Sequence, residues 1–161
     1  AVGNDPASIR LLNKVLAASE AMQQSWFYWT YRSFGDITTQ NSATETFFYP
    51  NNTVQEEKIK ALSTTYAPSI AGVPSSIHYF FNRKDATFGL EYTTTKSDCN
   101  VQDSNVTEIY LNENMWYPNG FTVNVSKPLV WDKIKKNYIK VEHPCGDWSG
   151  EYNVFIRIFA L

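Results

Sequence analysis

Residues Trp26 to Phe34 read Trp-Phe-Tyr-Trp-Thr-Tyr-Arg-Ser-Phe, six aromatic rings in nine positions. A run this dense in rings favours extended backbone, where large side chains pack across a pleated surface. Alternation places Phe27, Trp29 and Tyr31 on one face, and Trp26, Tyr28, Arg32 and Phe34 on the other. The wholly aromatic face is the natural inward one, because Arg32 belongs at a wet rim. Gly35-Asp36 ends the run. Rings make up 16% of the 161 residues, which points to a β-rich domain with a thick core or a lined cavity.

The rest of the chain repeats this theme in short pieces. Strands are expected at Ser25–Phe34, Thr44–Tyr49, Lys58–Tyr66, Ile77–Phe81, Thr87–Thr95, Val106–Trp116, Phe121–Val125, Tyr138–Glu142 and Glu151–Leu161. Turn sequences such as Pro50-Asn51-Asn52, Asn82-Arg83-Lys84-Asp85 and Pro118-Asn119-Gly120 separate them. Eight or nine strands at roughly 8–12 residue spacing suggest an antiparallel barrel or sandwich. Residues 5–21 carry the one clear helical pattern, with Asp5 as N-cap, Pro6 at the first turn, and Ile9, Leu12, Val15, Leu16 and Ser19 on one face. A shorter helix is expected from Pro128, where Trp131, Ile134 and Tyr138 share a face. No repeat, linker or low-complexity tract divides residues 1–161, so a single domain is expected.

Charge and missing segments exclude several classes. The net charge is −2, and the only basic concentration, Lys133, Lys135, Lys136 and Lys140, is too interrupted to follow a phosphate backbone. No apolar run reaches the ~18–20 residues that span a bilayer, and the opening residues do not form a signal peptide. Cys99 and Cys145 sit among polar loop residues, a setting that favours a disulfide over two buried thiols and, with it, an extracellular, secreted protein. Asn51, Asn105 and Asn124 head Asn-X-Ser/Thr sequences that permit glycosylation. An Asn-rich chain also produces such triplets by chance.

Catalytic signatures are sparse. With only His78 and His143, a His-rich metal site is excluded, and neither a metal nor another cofactor is expected. No zinc-protease, Walker A, dinucleotide or nucleophile-elbow sequence occurs. Paired carboxylates among Glu91, Glu108, Glu113 and Glu151 leave a small carbohydrate-active enzyme as an alternative. Exposed Trp and Tyr leave a membrane-interacting or pore-forming β protein as another. The leading expectation is a non-enzymatic carrier whose barrel encloses one small ligand. Its candidate binding residues are Phe27, Trp29, Tyr31, Phe48, Phe88, Tyr92, Glu91, Glu108, Tyr110 and Trp116. An inward Glu91, Glu108 or Asp98 suits a biogenic amine, with cation–π support, whereas a ring-lined cavity suits a sterol or fatty acid. The same rings could instead fill a solid core.

The order of elements resembles the salivary lipocalins of ticks. An N-terminal helix runs into an aromatic first strand ending Tyr31-Arg32-Ser33-Phe34. Cys99 then precedes a strand with Ile109-Tyr110-Leu111 and Trp116, and a short helix precedes Cys145. The resemblance implies an eight-stranded lipocalin-like barrel with an N-terminal helix and a short helix in the C-terminal half. It also implies a secreted protein that binds a lipid, sterol, histamine or serotonin and modulates host immune or inflammatory responses, with a host protein or cell-surface target as a possible partner.

Overall fold

The structure, a computed structural model, describes residues 3–35, 37, 45–94, 105–143 and 150–161. Cys99, Cys145 and Asp98, and with them the expected bridge, lie outside the described residues. The chain forms two compact units, Ala1–Ser63 and Thr64–Leu161.

In the first unit, α1 spans Pro6–Ala21 as expected. The Asp5 side chain accepts the backbone N–H groups of Ala7 and Ser8, both at 3.0 Å, and so satisfies donors that the first helical turn leaves unpaired. Leu12 and Leu16 bury their side chains against Ala61 of α2, Glu56–Leu62. This helix stands where the sequence predicts a strand from Lys58. The segment coils because Glu, Lys, Ala and Leu are strong helix formers, and Glu56 and Glu57 begin the helix while Lys60 ends it, complementing its dipole.

The aromatic run Trp26–Phe34 forms no strand of a sheet. Its backbone makes two isolated contacts: Thr30 N–H donates to Glu45 O at 2.9 Å, and Phe47 N–H donates to Tyr31 O at 3.1 Å. Beyond it, Phe48 bridges Val54 across a loop. The expected strand at Thr44–Tyr49 is reduced to that bridge within its described part.

Among the described residues the second unit holds nine strands: β1 Tyr66–Ser69, β2 Val73–Pro74, β3 Phe80–Asn82, β4 Thr87–Thr94, β5 Val106–Tyr110, β6 Phe121–Val125, β7 Val130–Lys135, β8 Tyr138–Glu142 and β9 Tyr152–Ala160. A single turn of helix, α3 Glu113–Trp116, follows β5. One antiparallel sheet has the order β1-β5-β8-β7 and the other β2-β4-β9-β6, with β3 also paired to β4. Alternation sends Phe88, Leu90 and Tyr92 of β4 inward to meet Val154, Ile156 and Ile158 of β9 and Ile109, Ile139 and Val141 from the opposite sheet. Each is at most 1% exposed. Burial of each such side chain contributes about 1.5–3 kcal/mol.

The barrel is therefore replaced by two open sheets that share one filled core. Among the described residues no ladder joins the sheets, and Phe88 and Tyr92, expected to line a cavity, occupy the space between them. The helix expected at Pro128 is the edge strand β7, whose six residues are all exposed. Its charges Asp132, Lys133 and Lys135 suit an edge that must not pair with another chain.

Candidate functional site

The aromatic run is the most exposed apolar surface of the first unit. Phe27 is 99% exposed, Phe34 76%, and Trp29 and Tyr31 62% each. Behind them, Tyr28 stacks on Phe47 at 5.4 Å between ring centroids, while Tyr31 meets Phe47 and Phe48 edge-on at 5.8 and 5.4 Å. The Arg32 guanidinium lies 4.5 Å from the Phe48 ring centroid, a cation–π contact that fixes both groups. Beside it opens a pocket of about 300 Å³, lined by Arg32, Ser33, Thr46, Phe48, Tyr49, Pro50 and Asn52. The structure thus brings Phe27, Trp29, Tyr31 and Phe48 onto one segment and its backing, but as an outward surface instead of a barrel lining. Large exposed rings concentrated on one short segment suit an interaction surface.

The other candidates disperse. Phe88 and Tyr92 belong to the sandwich core, where the Tyr92 hydroxyl bonds His143 Nε2 at 2.8 Å and receives the Thr107 hydroxyl at 3.0 Å. Trp116, in α3, packs edge-on against Phe81 at 4.9 Å. Glu91 projects from β4 on the outer face of one sheet. There Arg157 Nη2 donates to its Oε1 at 2.6 Å, and His78 Nε2 stands 3.6 Å from Oε2. Glu108 projects from β5 on the outer face of the other sheet, in register with Lys140. Packed sheets are about 10 Å apart, and both carboxylates point away from the shared core. They cannot flank one glycosidic bond, which needs carboxyls about 5–10 Å apart across it.

Tyr110 is the middle member of a row that sequence reasoning missed. Cross-strand register aligns Tyr66, Tyr110 and Tyr138, with ring centroids 5.2 and 5.4 Å apart, and Lys135 Nζ lies 4.5 Å from the Tyr138 ring centroid. Burial foremost, then the neighbouring tyrosines, raises the Tyr66 and Tyr110 phenols above their ordinary value. The three positions carry no common spacing in sequence, so only the register could reveal the row. Among the described residues no group of three or more His, Cys, Asp or Glu is placed to hold a metal.

Two antiparallel sheets around a filled core define a β-sandwich domain. Residues 65–156, from the start of β1 into β9, match the model of the glycoside hydrolase family 5 C-terminal domain. The chain belongs to that family. An endoglycoceramidase from Hydra vulgaris is 34% identical over 107 residues, which cover 66% of this chain and 19% of that protein. Two crystal structures of Cryptococcus neoformans sterylglucosidase 1 share the fold, with TM-scores of 0.68 and 0.67 at 13% and 14% identity. They cover 96% and 95% of this chain and 24% of each neighbour. The chain thus spans about a fifth to a quarter of the length of these proteins.

These findings overturn the lipocalin resemblance, with the barrel fold and the carrier function it implied. The chain is not a barrel carrier of amines or lipids that modulates host defence. The expectation of a protein unrelated to enzymes gives way as well, since the relatives are glycosidases and the carbohydrate-active alternative fits them. The resemblance misled because an N-terminal helix, an aromatic run and alternating strands are shared by barrel and sandwich alike.

Proposed function

We propose that this chain is part of a glycoside hydrolase that cleaves the bond between a sugar and a lipid aglycone, of the ceramide or sterol kind. The observation that carries the reading is the family match running from β1 into β9. The names of the relatives, an endoglycoceramidase and a sterylglucosidase, supply the substrate class. In this reading the carboxylate pair that performs acid–base and nucleophilic chemistry comes from outside the described residues, because Glu91 and Glu108 face opposite ways. The chain's own contribution to substrate is the exposed ring face of Phe27, Trp29 and Tyr31, against which the apolar face of a sugar stacks.

The test uses the complete gene product with a fluorescent glucosylceramide and a steryl glucoside as substrates. At least one is hydrolysed to free sugar. Trp29→Ala lowers kcat/KM roughly two- to twelvefold, the equivalent of ~0.5–1.5 kcal/mol for one lost aromatic contact. Release of sugar from neither substrate overturns the reading, and an unchanged kcat/KM in Trp29→Ala removes the stacking role.

A further inference from the structure

The three Asn-X-Ser/Thr triplets are equivalent as sequence but not as structure. Asn51-Asn52-Thr53 occupies the loop closed by the Phe48–Val54 bridge. Asn52 N–H donates to Tyr49 O at 2.9 Å, Pro50 fills the second turn position, and Asn52 adopts a left-handed φ of 65°. Every residue from Tyr49 to Val54 is exposed. Asn51 Oδ1 accepts both the Thr53 N–H at 3.1 Å and the Thr53 hydroxyl at 2.7 Å. A planar amide whose oxygen is turned back onto its own loop presents its nitrogen, Nδ2, on the opposite side, toward solvent.

The other triplets bury the hydroxyl that a glycosyl transferase must read. In Asn105-Val106-Thr107, Thr107 is fully buried, its hydroxyl engaged with Tyr92 and with the Ala71 N–H at 3.0 Å. Asn105 itself spends Nδ2 on His143 O at 2.9 Å. In Asn124-Val125-Ser126, Asn124 is exposed on the edge strand β6, but Ser126 is only 7% exposed and its Oγ accepts the Phe155 N–H at 3.2 Å.

We infer that Asn51 is an N-glycosylation site and that Asn105 and Asn124 remain unmodified. The co-reactant is a lipid-linked oligosaccharide pyrophosphate. Asn51 Nδ2 attacks the anomeric carbon of its first sugar, and a C–N bond forms. The anomeric C–O bond breaks, the lipid pyrophosphate leaves with the bonding electrons, and the amide loses one proton to a base of the transferase. The assignment stands apart from the glycolipid reading: it rests on the loop, and on passage of the chain through the compartment that holds the lipid-linked oligosaccharide.

The full chain, expressed behind a cleavable secretion leader in insect cells, tests it. The secreted protein is treated with peptide-N-glycosidase in heavy-oxygen water, which marks each formerly glycosylated asparagine as labelled aspartate, and the label is located by tandem mass spectrometry. Label is expected at position 51 and not at 105 or 124. Asn51→Gln and, independently, Thr53→Ala are expected to abolish the glycan, while Thr53→Ser retains it. Secreted protein without label at 51, or with label at 105 or 124, overturns the assignment. So does a glycan that persists in both Asn51→Gln and Thr53→Ala.

Discussion

Burial pushes the phenols of Tyr92 and Tyr117 up to about 12, with hydrogen bonds from Thr107 and Thr65 opposing that rise. In the unfolded chain a tyrosine ionises near pH 10. The stability these neutral phenols provide is therefore whole below pH 10 and is lost as pH rises from there through about 12, where the folded state also deprotonates. A shift of this size corresponds to about 3 kcal/mol for each residue. The urea midpoint should hold steady up to about pH 10 and then fall. In Tyr92→Phe the midpoint at neutral pH should drop by the equivalent of about 1–3 kcal/mol, because His143 Nε2 and Thr107 Oγ1 lose their partner. Its alkaline decline should be shallower than that of the unsubstituted protein. Equal alkaline slopes in the two proteins would show that Tyr92 does not couple folding to pH. Sequence placed Tyr92 on one face of its strand with Phe88 and Leu90 and Glu91 on the other, and the core shows the ring face to be the inward one. Sequence could not show that the hydroxyl would meet His143, a residue 51 positions away.

At the scale of elements, several strands of the sandwich were readable, whereas the strand expected over Val106–Trp116 ends at Tyr110 and gives way to α3. β6 and β8 have the boundaries expected, and β4 and β9 differ only at their ends. Their alternation is enforced by the core. β7 faces water on both sides, so the spacing of its Trp131 and Ile134 with Tyr138 of β8 could mimic a helix. What the spacing could not reveal was pairing with β8, which settles the matter. The link between β1 and β2 depends on a close approach that only glycine permits. A Cβ at Gly72 would stand 2.2 Å from the Thr93 carbonyl oxygen. Gly72→Ala should cost about 3 kcal/mol, a fall in Tm of about 6–12 °C. At Gly89 the atom in the way is Phe80 Cε1, 2.4 Å from where an alanine Cβ would stand. That ring is 38% exposed and can swing outward, so Gly89→Ala should cost less. A thermal melt that reversed this order would refute the role given to the Thr93 backbone.

At the scale of the whole molecule, the most aromatic segment of the sequence is among the least buried. Phe27 and Phe34 add little to the cores of either unit yet expose nearly their full surface. The isolated chain should therefore bind an environment-sensitive apolar dye and self-associate. Replacing Phe27, 99% exposed, with Ser should reduce dye binding and association while leaving Tm within about 2 °C, since no buried contact is removed. A large loss of Tm in that variant would mean that the ring stabilises the fold.

By itself the sequence determined α1 and its Asp5 cap, the β-rich character, the positions of strands β4, β6, β8 and β9, and the aromatic run as the segment to watch. These follow from local rules: a cap and a helical period within a few residues, and an alternation that any buried strand must keep. Tertiary structure decided that the strands form two open sheets, that the rings of β4 fill a core, that Glu91 and Glu108 face opposite ways, and that Trp26–Phe34 lies at the surface. Alternation records which residues share a face. It does not record what lies opposite that face, and the pairing of distant strands is what distinguishes a sandwich from a barrel.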